Sequence, residues 1–354
     1  MAPLDWGLGH ATRCIPIINE LIRLNCMVFI AAESAPAALL QLEFPQLTIL
    51  PLQGYRMQYS RKKILMPFKI LIQLPKMIRS IYYEHRWLKK TIIEYSIDAV
   101  ISDNRFGLYH SLIPCIYITH QLRIKTGNRF TGWLAQKIHY HFINKYSACW
   151  VPDAPGVHNL AGELSHPKKL PGVTVHYIGP LSRFIKMELP LKYTLAILLS
   201  GPEPQRTIFE NQLLIDLANY KGSCLLIRGL PENTTIKQFN NANLTVHNHI
   251  AGADLNIALQ QSALVISRSG YTTIMDLVKM HQKAILVPTP GQAEQDWLAR
   301  YSFQKNYFYS ACQHNFSLEG ALKKAEAFPF SYPPFNMEVY TQVIEDFCLN
   351  GLAR

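Results

Sequence analysis

The sequence predicts an α/β protein built from two doubly wound, parallel-sheet (Rossmann-like) domains facing a cleft. Three observations carry this. Short apolar, β-rich strings alternate with helical patterns along all 354 residues, and the alternation starts afresh near residue 193. A stretch with prolines at 180 and 190, "HYIGPLSRFIKMELPLKY", separates the two runs and reads as a hinge. Alternating βα units pack into parallel sheets covered by helices, and a chain of this length holds two ordinary cores.

Taken in order, the first domain (1–182) opens on "MAPLDWGLGHATRC". A Gly-Leu-Gly-His turn normally follows a buried strand, yet only Met1 to Leu4 precede this one. About eight residues at about 3.3 Å each would be expected of such a strand and its lead-in. The first strand is therefore expected to be cut short, either because the reading frame begins further upstream or because the central strand is unusually brief. Ile15, Ile18 and Ile22 then mark the packed face of a first helix. "MVFIAA" (27–32), "LTILPL" (47–52), "DAVISD" (98–103), "CIYITH" (115–120) and "ACWVPD" (148–153) read as strands. In the second domain (183–336) the strands are "YTLAILLSG" (193–201), "SCLLIRG" (223–229), "LTVHNH" (244–249), "ALVISRSG" (263–270) and "KAILVPTPG" (283–291). The end of the chain (337–354) reads as an amphipathic helix packing back towards the first domain.

Composition bounds the class. Hydrophobic residues make up 49% and charged residues 17%, with 18 Gly and 22 Pro, which is globular and neither disordered nor collagenous. The opening residues show no basic-then-apolar leader, and no apolar run reaches the roughly 18 residues of a spanning helix. A cytoplasmic protein is expected. Seven cysteines show neither C-x-x-C pairing nor zinc-ligand spacing, so they read as buried free thiols.

The net charge of +11 lies wholly in the first half: residues 1–190 hold 22 Lys+Arg against 11 Asp+Glu, and residues 191–354 hold 13 of each. The excess concentrates in "RKKILMPFKILIQLPKMIRSIYYEHRWLKK" (61–90), where Arg61, Lys62, Lys63, Lys69, Lys76, Arg79, Arg86, Lys89 and Lys90 face a single Glu84. A basic segment with Phe, Leu and Trp interleaved suits an anionic membrane surface, each cation near it contributing about 1 kcal/mol. A core-packing helix with a solvated basic face is the alternative. Nucleic acid is disfavoured, because no recognised nucleic-acid motif accompanies the basic run.

Three strand-end loops of the second domain carry candidate chemistry. In "VISRSGYTTIMDLVKM" (265–280), a strand runs into Ser269-Gly270, and Thr272 and Thr273 open a helix. Free N–H groups and the positive dipole end at such a start form an anion site fit for a pyrophosphate. "LSGPEPQRTIFEN" (199–211) offers Gly201, which frees the backbone, and Arg206, which could reach an anion. "VPTPGQAEQDWLA" (287–299) offers Glu294 and Gln295 for sugar hydroxyls. Together they point to a nucleotide-sugar site.

On "WGLGHATR", "SRSGYTTIMD" and "PTPGQAEQ", supported by "SDNRFG" and "ITHQ", the chain resembles a GT-B glycosyltransferase of family 28, the group of the lipid II-forming N-acetylglucosaminyltransferase. The resemblance implies an acceptor-binding first domain and a second domain that binds the UDP-sugar donor. It places Ser269, Gly270 and Thr273 at the donor diphosphate and Asp276, shorter by a methylene than the usual Glu, at the ribose. It places Glu294 and Gln295 at the donor sugar and Arg183 near the phosphates. On the acceptor side it places Gly7, Gly9 and His10 in the Gly-rich loop, with His120 and Gln121 at a strand end. Asp5-Trp6 replaces a Gly-Gly pair of the lipid II enzyme, and an anionic, bulky pair argues for a different acceptor.

The implied reaction is inverting transfer of GlcNAc or another hexose to an acceptor hydroxyl, such as one on a membrane lipid or glycan, with UDP leaving. Histidine has the pKa for a base at neutral pH, so His10 is assigned that role, with His120 and Asp103 as fallbacks. Neither a metal nor a cofactor is expected: the UDP-sugar is a co-substrate, no Asp-x-Asp is present, and peripheral attachment to the inner membrane face fits the basic segment. The alternatives are a UDP-sugar epimerase of the same architecture and a non-catalytic nucleotide-sugar-binding relative.

Overall fold

The structure, a computed structural model, describes all residues except 6, 56–65, 126–128, 232, 234, 236–240, 251, 333 and 352–354, and describes the backbone alone at 66–74, 129–130 and 350–351. The chain forms two compact units, Met1–Arg183 with Phe335–Arg354, and Phe184–Pro334.

The first unit runs β1 (Ala2–Pro3), α1 (Leu8–Arg23), β2 (Phe29–Ala32), α2 (Ser34–Glu43), β3 (Thr48–Pro51), α3 (Met66–Tyr95), β4 (Val100–Asp103), β5 (Cys115–Ile118), α4 (Arg129–Ile143), β6 (Ala148–Val151) and β7 (Thr174–Tyr177). The strands pair in the order β1-β4-β5-β6-β7, with β2-β3 as a separate pair, and every pairing is parallel. β1 has two residues, so it lacks the length for a full ladder on both sides. It nevertheless bonds towards β2, through Met1 N to the Phe29 carbonyl and Ala31 N to the Met1 carbonyl, each at 2.8 Å. β4, β5 and β6 are buried along their whole length, as strands covered on both faces must be.

The second unit runs β8 (Leu195–Leu198), α5 (Gln205–Leu217), β9 (Cys224–Ile227), β10 (Leu244–His247), α6 (Gly252–Gln260), β11 (Val265–Ser267), α7 (Tyr271–Met280), β12 (Ala284–Leu286), α8 (Ala293–Gln304), β13 (Tyr309–Ser310) and α9 (Leu318–Glu326). Its parallel sheet has the order β10-β9-β8-β11-β12-β13, and β8 is thus the switch point outside whose carboxyl end ligands bind in such sheets. Each unit has its own core: Tyr117, Cys149 and Leu122 are buried in the first, Ile197, Phe209 and Ile285 in the second. The last helix, α10 (Val339–Asp346), returns to the first unit, where the following turn sets Phe347 edge-on to Trp150 at 5.5 Å.

Two expectations change. The Gly-Leu-Gly-His stretch is not a loop, because α1 begins at Leu8 and takes Gly9 and His10 into its first turn. Gly7 is the residue that turns the chain, at φ 102°, a conformation only glycine adopts without strain. The cysteines are free but not all buried: Cys312 is exposed, while Cys26 and Cys348 are half-buried with sulfurs 3.7 Å apart.

Candidate active site

In the first unit the carboxyl ends of β4 and β5 meet the first turns of α1. Asp103, the last residue of β4, has no exposed surface. Its Oδ2 lies 3.0 Å from His10 Nδ1 and accepts from Arg13 Nε at 2.8 Å, while Oδ1 accepts from Arg13 Nη2. Arg13 reaches two histidines as well, His10 Nδ1 at 2.8 Å from Nη2 and His120 Nδ1 at 3.2 Å from Nη1. His10 and Arg13 share a helix face because they are three residues apart. Burial pushes the Asp103 carboxyl up, but Arg13 and His10 outweigh it and hold the pKa at about 2. Burial, then Arg13, lowers His10 below the ordinary histidine value, against the pull of Asp103. His10 is thus a neutral ring beside an ionised carboxylate.

This constellation brings together His10, Asp103 and His120, all named from the sequence, and adds Arg13, which sequence reasoning passed over. The i, i+3 spacing from His10 was its available signal. Gly9 is exposed on the same turn, and Gln121 is half-buried with its backbone N–H on Thr119 Oγ1 at 3.1 Å.

The turn after β4 explains "SDNRFG". Arg105 is buried and donates to Glu84 Oε1 at 2.7 Å, to the Pro3 carbonyl at 3.2 Å and to the Gln53 carbonyl at 2.5 Å. Glu84 also accepts from Tyr55 Oη and from Gly107 N, each at 2.9 Å. A Cβ on Gly107 would come within 2.3 Å of the Ile81 carbonyl, so only glycine lets α3 cross here. The lone acidic residue of the basic segment is therefore its anchor, paired with Arg105 two residues after Asp103. The opposite face of α3 exposes Ile78, Tyr82, Tyr83 and Ile93 among Arg79, Arg86, Lys89 and Lys90. Core packing and an exposed apolar-basic face coexist on one helix; residues 61–65 of that segment lie outside the described residues. Among the described residues no helix is long and apolar enough to cross a membrane.

Asp5 is half-buried; its Oδ1 accepts from Tyr55 N at 3.1 Å, and its side chain packs where a Gly54 Cβ would stand, 2.1 Å from Oδ2. A backbone hydrogen bond leaves the carboxylate an anion, and Trp6 lies outside the described residues.

In the second unit α7 starts at Tyr271 with Gly270 as N-cap and no side-chain cap. A Cβ on Gly270 would meet only Thr273 Oγ1, at 3.8 Å, so the approach to these N–H groups is open. Thr273 and Asp276 are half-buried on α7, and Glu294 is half-buried in the first turn of α8. Gly201, at φ 100°, turns the chain after β8.

Four side chains are otherwise engaged than expected. Ser269 is buried, and its hydroxyl donates to the Gln295 carbonyl at 2.9 Å, tying the β11 turn to α8. Gln295 Oε1 accepts from Thr289 N at 2.9 Å while its Nε2 donates to Gln292, so the amide braces its own loop. Arg206 is buried and neutralised by Glu203 at 2.6 Å and Glu210 at 2.9 Å, leaving no cation to offer a ligand. Arg183 belongs to the first unit and donates to Glu43 at 3.3 Å.

Arg268, unassigned from sequence, is the better cation. It is buried, bonded only to the carbonyls of Val287, Pro288 and Gln205, at 3.2, 3.4 and 3.0 Å, and lies 4.5 Å over the Phe209 ring. No carboxylate among the described residues neutralises it, its Nε is without a partner, and burial lowers its pKa to about 10. A buried cation one residue before the Ser269-Gly270 turn raises the potential there. Among the described residues no three His, Cys, Asp or Glu side chains converge to hold a metal ion.

Residues 224–327 match the family model described as the glycosyltransferase family 28 C-terminal domain. The fold is GT-B, and the stretch that matches this model lies within its second unit. No curated protein matches the sequence. Among solved structures, the GT-B fold recurs in the glycotransferase of kitacinnamycin at TM-score 0.63 and 15% identity, covering 99% of this chain and 94% of that one. Acinetobacter baumannii MurG matches at TM-score 0.53 and 14% identity over 99% and 95% of the two chains. VinC, solved in complex with DTDP, matches at TM-score 0.54 and 12% identity over 99% and 95%.

Proposed function

We propose that the protein is an inverting glycosyltransferase that moves GlcNAc or another hexose from a UDP-sugar to an acceptor hydroxyl of a lipid or glycan. The observation that carries this is His10, its Nδ1 3.0 Å from the buried Asp103 carboxylate and its Nε2 without a partner among the described residues. Held in that way, His10 takes the acceptor's proton on Nε2 as the acceptor oxygen attacks the anomeric carbon. The bond from that carbon to the diphosphate oxygen breaks with its electron pair, configuration inverts and UDP leaves. Preorganised positive groups stabilise a leaving diphosphate; the α7 N-terminus and the unneutralised Arg268 support that role in this chain. Asp276 and Glu294 serve the donor's hydroxyls.

The reading needs neither metal nor cofactor, and it includes attachment to an anionic membrane surface through α3. VinC was solved in complex with DTDP, a pyrimidine nucleoside diphosphate of the kind proposed here as leaving group.

The test is transfer from UDP-sugars to lipid and polyol acceptors. His10→Ala lowers kcat by about 10²–10⁴-fold with donor KM preserved, as for loss of a general base, and EDTA leaves the rate unchanged. Unaltered turnover in His10→Ala overturns the base, and rescue of an EDTA-inhibited enzyme by Mn²⁺ overturns metal independence. A new sugar isomer formed from UDP-GlcNAc alone would make the protein an epimerase instead.

A further inference from the structure

A histidine beside a buried carboxylate poses a problem for a base. The carboxylate that orients the ring also favours the imidazolium, and a ring already protonated accepts nothing from an acceptor. We propose that Arg13 resolves this as a positioning residue: it takes both oxygens of Asp103 in a fork, so that the carboxylate orients His10 without trapping it as imidazolium. The inference rests on the proposed role of His10 as base.

The geometry is specific. Arg13 Nε and Nη2 reach Oδ2 and Oδ1 of Asp103, which fixes the carboxylate plane. Oδ2 remains 3.0 Å from His10 Nδ1, and Nη2 of the same guanidinium lies 2.8 Å from that nitrogen. Nδ1 therefore stands between a donor and an acceptor, and its proton decides which contact is a bond. With the proton on Nδ1, the bond runs to Asp103 and Nε2 is bare, the form that acts as a base. Nη2 keeps a second N–H that could donate to a bare Nδ1. In the Nδ1–H form proposed here the charged Asp103 carboxylate accepts from the ring, and the tautomer is read directly in the experiment below.

A second proton on the ring meets the Asp103 carboxylate and the Arg13 guanidinium together. Their charges largely cancel at His10, and burial disfavours the imidazolium further. The charged and titratable groups packed here are Arg13 and Cys14 from α1, Asp103 from the end of β4, and His120 beyond the end of β5. Replacing Arg13 by an apolar residue leaves the carboxylate alone with His10 and holds the imidazolium to higher pH.

The experiment compares wild type, Arg13→Met and Arg13→Lys in two readouts: the pH profile of kcat/KM, and NMR titration of ring-labelled His10 in nucleotide-free protein. In Arg13→Met the acid limb and the His10 titration both move up by about one pH unit or more. Activity near pH 6 then drops about tenfold and largely returns at high pH. Arg13→Lys, which keeps the charge without the fork, leaves the acid limb near that of wild type. A merely structural role predicts an equal loss at every pH, and that result, or an unmoved His10 titration, overturns the proposal. If Arg13→Met does not fold, Arg13→Lys and wild type decide, because a wild-type ring found as imidazolium or as the Nε2–H tautomer at pH 7.5 also overturns it. Absence of transfer by wild type from any UDP-sugar defeats the functional reading alone, since the titration still reads Arg13.

Discussion

A carboxylate with no exposed surface stays ionised at Asp103 because the Arg13 guanidinium, with His10 beside it, outweighs the cost of its burial, and that balance makes the first unit sensitive to acid. The folded pKa of about 2 lies below the ordinary aspartate value, so in acid the unfolded chain binds the extra proton. The stabilisation is complete above about pH 4 and is lost as the pH falls towards 2, amounting to about 2 kcal/mol. His10, also lowered, adds to the loss in the same direction from about pH 6.5 downward. Urea unfolding of the protein between pH 7 and pH 3 should show a steady fall in midpoint. Asp103→Asn lowers the midpoint at pH 7, at a cost of about 3–5 kcal/mol for leaving Arg13 without its counter-charge, and flattens the dependence below pH 4. An equal slope in both proteins would mean that Asp103 is not the titrating group.

At the scale of elements, what was legible followed burial. Strands enclosed on both faces, β5, β6 and β9, announce themselves as unbroken apolar strings, and β4 does so until Ser102 and Asp103 end it. β7 alternates exposed with half-buried residues in "TVHY", and β13 has only two residues, so neither gave a string to read. His10, Asp103 and His120 were readable because each ends or follows a strand or turn. Arg13 lies inside a helix that is buried nearly all round, where a cation reads as an oddity of packing. Arg206 failed in the converse way: a strand-end arginine looks available until Glu203 and Glu210 claim it. α3 shows why the two readings of its basic segment were not exclusive. Ile81, Glu84 and Leu88 face inward, and Tyr82, Tyr83, Arg86 and Lys90 outward. Vesicles rich in phosphatidylglycerol should pull the protein down, with recovery falling as salt rises and in the triple variant Arg79→Glu, Arg86→Glu, Lys90→Glu. Equal recovery on neutral vesicles would sink the electrostatic part.

At the scale of the molecule, the second unit is one continuous insertion, Phe184–Pro334, in a first unit assembled from both ends of the chain. Among the described residues, its core cluster from Leu195 through Phe209 and Ile285 to Ala325 is built from side chains within that span. Its buried charges are also internal, Arg206 and Arg228 meeting on Glu210. A fragment of residues 184–334 should therefore fold cooperatively by itself and, if the donor reading is right, be stabilised against heat by UDP. The first unit has no such independence without its C-terminal piece, because α10 and the turn after it cover α1 and Trp150, and Ile344 is fully buried. Residues 1–183 alone should expose that surface and aggregate. Within the 184–334 fragment, Arg268→Met provides the decisive comparison. Removing an unneutralised buried cation leaves the nucleotide-free fragment as stable or more so, while the shift in melting temperature given by UDP shrinks. If Arg268→Met instead lowers the melting temperature without UDP and leaves the UDP shift intact, the arginine serves packing over Phe209 and the diphosphate is held by the α7 N-terminus without it.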